Sequence, residues 1–393
     1  MSVTSASGFV AAGIACGVKE SGDLDLSLVA TADGRPVNAA GVFTANLMTA
    51  APVLTTRRHL EQTSGRAAAV VLNSGNANAA TGEAGLADAQ AMCQAVGSAL
   101  GCDPHEVLVC STGLIGIPLP IDKIVAGAPE LVAHRSAAGG IDAAEAIRTT
   151  DTFRKEALVE TTANDDATMF TVGGMAKGAA MLAPNMATML AVLTTDAAAE
   201  PAALKAALQR GVATSFNVMS VDGCQSTNDT VLLLASGAAG PVDQVLLDDS
   251  VARVCKMLAE AMVLDAEGAT KSVWIEVTGA ASDADAATGA RKVADSNLCK
   301  CSWYGQDPYW GRIASELGSA GIAFDQTAIA ISYGDATVAA GGIEIDHDRA
   351  SVTEHMAGRS LHISADLGQG DGTASVFTND LTHAYIDENM GTS

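Results

Sequence analysis

Residues 168–196 read TMFTVGGMAKGAAMLAPNMATMLAVLTTD. Two short apolar runs, 168–176 and 188–196, read as strands. Between them lies a stretch of small residues holding Lys177, Pro184 and a lone hydroxyl, Thr188. One reading makes Thr188 the opening residue of a half-buried strand, where β-branched side chains fit a pleated surface. The other makes it a nucleophile, released as a new N-terminus when the chain cuts itself. Local pattern leaves both open.

The same alternation of strands and helices continues on either side. Runs 67–73 (AAAVVLN) and 107–112 (VLVCST) read as buried strands, with a helically spaced segment, 85–100, between them. Residues 200–216 read as a helix with Pro201 in its first turn. Residues 230–237 read as a strand, and 244–268 as a long helix ending near Gly268. Further strands are expected at 271–280, 327–334, 359–368 and 373–380. Segments 155–168 and 335–358 look least regular. The pattern predicts an α/β protein of mixed order rather than a regular doubly wound array.

Composition narrows the function classes. The chain has 393 residues, room for two or three ordinary domains or one large body with two lobes. Hydrophobic residues make up 48 %, enough for a sizeable core, while aromatics are only 4 %. With 22 basic against 45 acidic residues the formal charge is −23. Such a surface repels nucleic acid and anionic membranes. No run reaches the roughly 18 apolar residues of a membrane span, and the first residues make a poor signal peptide. Eight scattered cysteines, mostly in apolar runs, read as reduced buried thiols. A cytoplasmic location is expected. Cys299-Lys300-Cys301 lacks the second pair that a zinc site needs. No phosphate loop, dinucleotide fingerprint, zinc-peptidase motif or hydrolase elbow is found. No metal and no cofactor are expected.

Four clusters resist a purely structural reading. NSGNANAATG (73–82) follows a strand and is either an ordinary loop or a set of left-handed residues aiming amides into a cavity. STGLIG (111–116) also follows a strand, and its small residues let amides at Thr112 and Gly113 approach a ligand, as an oxyanion hole requires. FNVMSVDGCQSTNDTV (216–231) packs Asn217, Asp222, Ser226, Thr227, Asn228 and Asp229 between apolar segments, as a structural network or as a site wall. DAEGATK (265–271) sets Glu267 at the expected helix end, a place the helix dipole disfavours for a carboxylate. GQDPYWGR (305–312) reads as a structural turn.

Together these motifs resemble one family nearly end to end. AAGIACGVKESGDLDLSLV (11–29), GVFTANLMTAAPV (41–53), NSGNANAATG, CSTGLIG, TTDT (149–152), GGMAKGAAMLAPNMATML (173–190), SFNVMSVDG, STNDTVLLLASG, DAEGATK, DPYWGR and DLTHAYIDEN (380–389) are similar to the ornithine acetyltransferases, or glutamate N-acetyltransferases. The resemblance implies a layered α/β sandwich of the kind shared with self-processing aminopeptidases, with a smaller C-terminal lobe. It implies autocatalytic cleavage between Ala187 and Thr188, giving an α subunit (1–187) and a β subunit (188–393) that stay together, often as α2β2. It implies acetyl transfer from N2-acetyl-L-ornithine to L-glutamate through an acetyl-Thr188 intermediate, with oxyanions held at Thr112 and Gly113. Substrate contacts carried over by position are Thr149, Thr150, Lys177, Thr188, Glu267, Asn389 and the C-terminal Thr392.

The sequence departs from the family pattern near the substrate contacts. Cys299, Cys301 and Ser302 surround Lys300, Tyr309 stands where Asn is usual, and Thr152-Phe153-Arg154-Lys155 lacks the usual Pro. The C-terminus, NMGTS, is a residue short and lacks the common Tyr. Three other readings stay open: a paralogue acting on another acylated amino acid, a self-processing amidohydrolase, and a processed protein that only binds an amino acid. Acetyl-CoA as a further donor is also left open.

Overall fold

The computed structural model describes residues 3–162, 169–183 and 189–391. The chain divides into two compact units, Met1–Asn217 with Cys224–Met262, and Val218–Gly223 with Val263–Ser393. The first runs β1 (Phe9–Ile14), β2 (Leu26–Thr31), β3 (Val37–Phe43), α1 (Ala51–Gln62), β4 (Arg66–Ala67), β5 (Ala69–Asn76), α2 (Gly82–Leu100), β6 (Val107–Leu114), α3 (Ile121–Ala133), α4 (Gly140–Ala146), β7 (Lys155–Thr162), β8 (Met169–Lys177), β9 (Leu190–Ala198) and α5 (Pro201–Ala213). The short β10 (Met219–Ser220) belongs to the second unit, and the first resumes with β11 (Thr230–Pro241) and most of α6 (Gln244–Leu264).

Strands of the first unit form two sheets, one in the order β1-β2-β5-β6 and one in the order β4-β3-β11-β9-β8-β7. The pairs β5–β6 and β9–β11 are parallel. The side-chain period of two explains the layering. Val70, Leu72, Leu108 and Cys110 join Met175, Leu190, Val192, Leu232 and Leu234 in one core between the sheets. Ala69, Val71, Val107 and Val109 face the other way, onto Met92 and Val96 of α2 and Ile124 and Leu131 of α3. Both faces of β5 and β6 are therefore buried, which is why they read as unbroken apolar runs. On the far side of the larger sheet, Val254 and Leu258 of α6 close on Gly174 of β8. Buried Leu247, Val251, Val254, Leu258 and Met262 mark the apolar stripe of that helix. The unit is thus a four-layer α/β sandwich, helix–sheet–sheet–helix.

The second unit continues with β12 (Ser272–Ala280), α7 (Asp283–Ala294), α8 (Asn297–Tyr304), α9 (Trp310–Gly318), β13 (Ala330–Tyr333), β14 (Ala336–Ala340), β15 (Ile343–Glu344), α10 (Arg349–Ala357), β16 (Ser360–Asp366), β17 (Gly372–Asn379) and α11 (His383–Glu388). Its sheet has the order β10-β17-β12-β16-β13-β14-β15. Trp303, Ile275, Leu361, Ile363 and Val376 anchor its core. It is the smaller C-terminal lobe.

Three expectations need correction. Residues 155–162 are not irregular but form β7, paired antiparallel with β8 from Lys155–Ala176 to Thr162–Met169. Residues 335–358 hold the β13–β14 hairpin's second strand, β15 and α10, whose N-terminus is capped by Asp348 accepting from the N–H groups of Ala350 and Ser351. The long helix α6 stops at Leu264, so Glu267 lies in the following turn and not at a helix end. Among the described residues no helix is long and apolar enough to cross a membrane.

Candidate active site

The site grows from the ends of β6 and β8. Counting by two from Leu108 and Cys110 brings Thr112 onto the face between the sheets, and counting from Met175 brings Lys177 there. The two side chains meet: Lys177 Nζ donates to Thr112 Oγ1 at 3.2 Å, and both residues are buried. A hydroxyl that accepts from an ammonium keeps its own proton to donate. Beside it, Gly113 has φ +131°, and a Cβ there would lie 2.3 Å from the carbonyl carbon of Gly75. Only glycine lets β5 and β6 approach so closely at this point.

Asp151 organises the other side of Lys177. Its Oδ1 accepts from Lys155 Nζ at 2.6 Å and from the Gly178 N–H at 2.8 Å. Its Oδ2 accepts from the Thr149 N–H at 3.1 Å and faces Lys177 Nζ at 4.0 Å. Burial alone pushes this carboxyl up, but the positive charges of Lys177 and Lys155 and the hydrogen bonds outweigh it and hold it at about 2. Thr149 is thereby tied to the cluster through its backbone, while the neighbouring Thr150 is exposed.

The Asn228-Asp229 pair joins three segments. Asn228 Nδ2 donates to the carbonyls of Ala77 at 2.6 Å and Ser111 at 2.9 Å, the latter belonging to the peptide that carries the Thr112 N–H. Asp229 Oδ1 accepts from the Met189 N–H at 3.0 Å, just before β9. Asp229 Oδ2 has no hydrogen-bond partner among the described residues. Burial raises this carboxyl well above the usual range, against the opposing pull of the Met189 N–H and the Lys177 charge. Asn228 and Asp229 of the 216–231 cluster therefore tie the Thr112 strand to the residue before β9, with one carboxylate oxygen left unpartnered among the described residues. The asparagines of 73–82 bond one another and nearby carbonyls: Asn73 Nδ2 to Asn76 O, Asn76 Nδ2 to Pro118 O, Asn78 Nδ2 to Gly85 O. Gly75, Asn78, Ala80 and Gly82 have positive φ, as expected, but the side chains are spent on holding the loop.

In the second unit, Asn389 Nδ2 donates to Glu267 Oε2 at 2.7 Å and to Tyr385 O at 2.9 Å. Glu267 is buried, and its turn is closed by Gly268, φ +64°, whose missing Cβ makes room for the backbone of Ala384 and Tyr385. Arg312 of the 305–312 turn donates to Leu298 O at 2.8 Å, a structural role as expected. Ala187, Thr188 and Thr392 lie outside the described residues.

The expected residues thus form two pairs, Thr112 with Lys177 and Glu267 with Asn389. Asp151 and Lys155 escaped sequence reasoning. Their signal was Lys177 itself, because a lysine in an apolar run calls for a buried counter-charge.

A lysine-backed hydroxyl and a glycine thus stand together at strand ends inside a four-layer α/β sandwich. The match to known proteins is extensive. The ArgJ family model covers residues 10–391. "Arginine biosynthesis bifunctional protein ArgJ" of Mycobacterium bovis is 49 % identical over 399 residues, spanning all of this chain and 96 % of that protein. The protein of the same name from Streptomyces coelicolor is 46 % identical over 394 residues, with both chains fully covered. A solved ornithine acetyltransferase from Mycobacterium tuberculosis, complexed with ornithine, is 48 % identical with a TM-score of 0.43, covering 47 % of this chain and 94 % of that one. The chain belongs to the ArgJ family, a family of arginine-biosynthesis acyltransferases.

Proposed function

We propose that the protein transfers acetyl from N2-acetyl-L-ornithine to L-glutamate by a ping-pong cycle through acetyl-Thr188. The observation that carries the reading is the buried contact of Lys177 with Thr112, beside the glycine whose backbone crowds β5. It fits a place where negative charge develops. The chain first cuts itself between Ala187 and Thr188. The new α-amino group, with an unperturbed pKa of about 7.7–8.0, takes the Thr188 hydroxyl proton. The oxygen attacks the acetyl carbonyl, and the oxyanion is held by the Thr112 hydroxyl and the Gly113 backbone. The C–N bond breaks and ornithine leaves with the proton. Glutamate's amine then attacks the ester, N-acetylglutamate departs, and Thr188 is restored.

Lys177 suits a substrate carboxylate or the oxyanion, and Glu267 with Asn389 suits an ammonium group. Thr149, Thr150 and Thr392 complete the proposed contacts. Cleavage would separate 1–187 from 188–393, yet β9 and β11 hydrogen-bond to β8 and β3 within one sheet. That supports two subunits that stay together; an α2β2 assembly and a cytoplasmic location are part of the proposal on the family resemblance alone. The relatives' name, bifunctional, fits a second activity of the same protein.

The test is direct. Pure enzyme is incubated with N-acetylornithine and then glutamate, and the acetyl group is followed by mass. An acetylated 188–393 fragment that passes acetyl to glutamate is the expected result. Release of free acetate with no transfer would make the protein an amidohydrolase instead.

A further inference from the structure

We propose that Asp380 and Thr382 are positioning residues: they clasp the turn that carries Glu267 to the segment that carries Asn389, so that the pair stands preformed for an ammonium group. This rests on the acetyl-transfer reading for the source of that ammonium, acetylornithine, and the test keeps the two apart. All the parts lie in the second unit. They belong to the DAEGATK and DLTHAYIDEN motifs, of which the proposed reaction uses only Glu267 and Asn389.

The turn follows α6. The Ala269 N–H donates to Ala266 O at 3.0 Å, which puts Glu267 and Gly268 at the tip. The sheet supplies the anchor for its trailing leg. Ser272 of β12 pairs with Asn379 of β17, so residues 271 and 380 are the next to face each other. There the Asp380 N–H donates to Lys271 O at 3.3 Å. Asp380 Oδ1 accepts from the N–H groups of Thr270 at 2.9 Å and Lys271 at 3.0 Å, and Oδ2 accepts from the Thr270 hydroxyl. Three donors suit an ionised carboxylate, which can only accept.

Thr382 holds the tip itself. Its hydroxyl donates to Gly268 O at 2.7 Å and accepts from the Tyr385 N–H at 3.3 Å, the N-cap of α11. That helix leads into Asn389, whose Nδ2 donates to both Glu267 Oε2 and Tyr385 O. One buried hydroxyl thus fixes both members of the pair, the turn through Gly268 O and Asn389 through the helix start. A contact preformed in this way spares a ligand the cost of ordering it.

Thr382 is the cleaner probe, because the Asp380 charge also reaches Lys300. Thr382→Val keeps the shape and removes the donor and the cap. It should raise KM for acetylornithine by about three- to tenfold and leave kcat within about twofold, since the ammonium contact is misplaced and not lost. Thr382→Ser restores the hydroxyl and should restore KM. The double variant with Glu267→Gln separates positioning from scaffold. Once the Glu267 charge is gone, Thr382→Val should cost less than about twofold more, whereas a general structural defect would cost as much in either background. An unchanged KM, a fall in kcat at constant KM, a serine variant no better than valine, or full additivity with Glu267→Gln would each overturn the proposal. If Thr382→Val does not fold, Asp380→Asn takes its place in the same cycle with the same expected KM effect, and failure of both to fold makes the clasp mere scaffold and overturns it. Amide hydrogen exchange gives a readout without substrate. The turn-closing Ala269 N–H should exchange about tenfold faster in Thr382→Val than in wild type or Thr382→Ser, and an unchanged rate overturns the proposal. Should wild-type enzyme transfer no acetyl, the proposed reaction falls, and the exchange rates still judge the clasp.

Discussion

Asp151 in the first unit is surrounded by charge, and Lys300 in the second is surrounded by dipoles. Both are buried. Asp151 has two lysines and two backbone N–H groups, which pull it down to about 2. Lys300 donates to Thr378 Oγ1 at 2.6 Å, Asn379 O at 3.0 Å and Asn379 Oδ1 at 2.9 Å, all neutral acceptors. Burial lowers it to about 8, and the more distant Asp295, Asp222 and Asp380 recover only part of the loss. Where charge is matched by charge, an ion is kept available for chemistry. Where it is matched by dipoles, the ion ties strands together at an electrostatic cost. On the proposed reading the reacting groups lie in the first unit, and the second contributes Glu267 and Asn389 to recognition.

The largest effects test the first half of that contrast. Thr188→Ala should abolish self-cleavage and transfer together, leaving one intact chain on a denaturing gel, because it removes the proposed nucleophile of both reactions. Thr112→Val keeps the shape but removes the donor that Lys177 backs, and kcat should fall by about a hundred- to a thousandfold with KM little changed. Cleavage of Thr188→Ala at the same bond, or a Thr112→Val enzyme with wild-type kcat, would remove these residues from the mechanism. Gly113→Val is a poorer probe, since its side chain would strike the Gly75 backbone and disturb β5 and β6 whatever the chemistry.

A smaller effect is expected in the second unit, where recognition is proposed. Glu267→Gln keeps the hydrogen bond from Asn389 within reach but loses the charge. Losing a charge-assisted contact costs about 1.5–3 kcal/mol, a ten- to hundredfold drop in kcat/KM for acetylornithine. Self-cleavage, which uses no free amino acid, should be unchanged. A mutant that cuts itself slowly but turns over acetylornithine normally would reverse the division of labour drawn between the two units.

Much of this was legible in the residues, and the limits have physical causes. β5 and β6 announced themselves because both faces are buried and every position had to be apolar up to Asn73 and Ser111. Thr112, Gly113 and Lys177 stood out because they break such runs. β7 did not, because its outward face mixes Glu156, Glu160 and Thr162 with Leu158 and its buried first residue is a lysine. Nothing local says that Lys155 is buried; its partner Asp151 comes from the preceding turn. Glu267 looked like a dipole conflict only because α6 was carried to Gly268 instead of stopping at Leu264.

The smallest expected effect bears on the contrast in buried ions itself. Both groups titrate below their ordinary values when folded, so both make stability rise with pH, but in different windows. Lys300 falls from 10.5 to about 8. Between those values the unfolded chain holds a proton that the folded one has released. Stability should therefore rise by about 2 kcal/mol from pH 8 to 10, a gain not yet present at neutral pH. Asp151 falls from 3.8 to about 2. Its contribution is complete above the ordinary value and is lost as pH drops toward 2, with about 1 kcal/mol gone between pH 6 and 3. Urea unfolding across both windows checks this. The alkaline rise should be missing from Lys300→Met and kept in Asp151→Asn, and the acid loss should be missing from Asp151→Asn and kept in Lys300→Met. If both variants flatten the same window, the two ions are not the separate devices their partners describe.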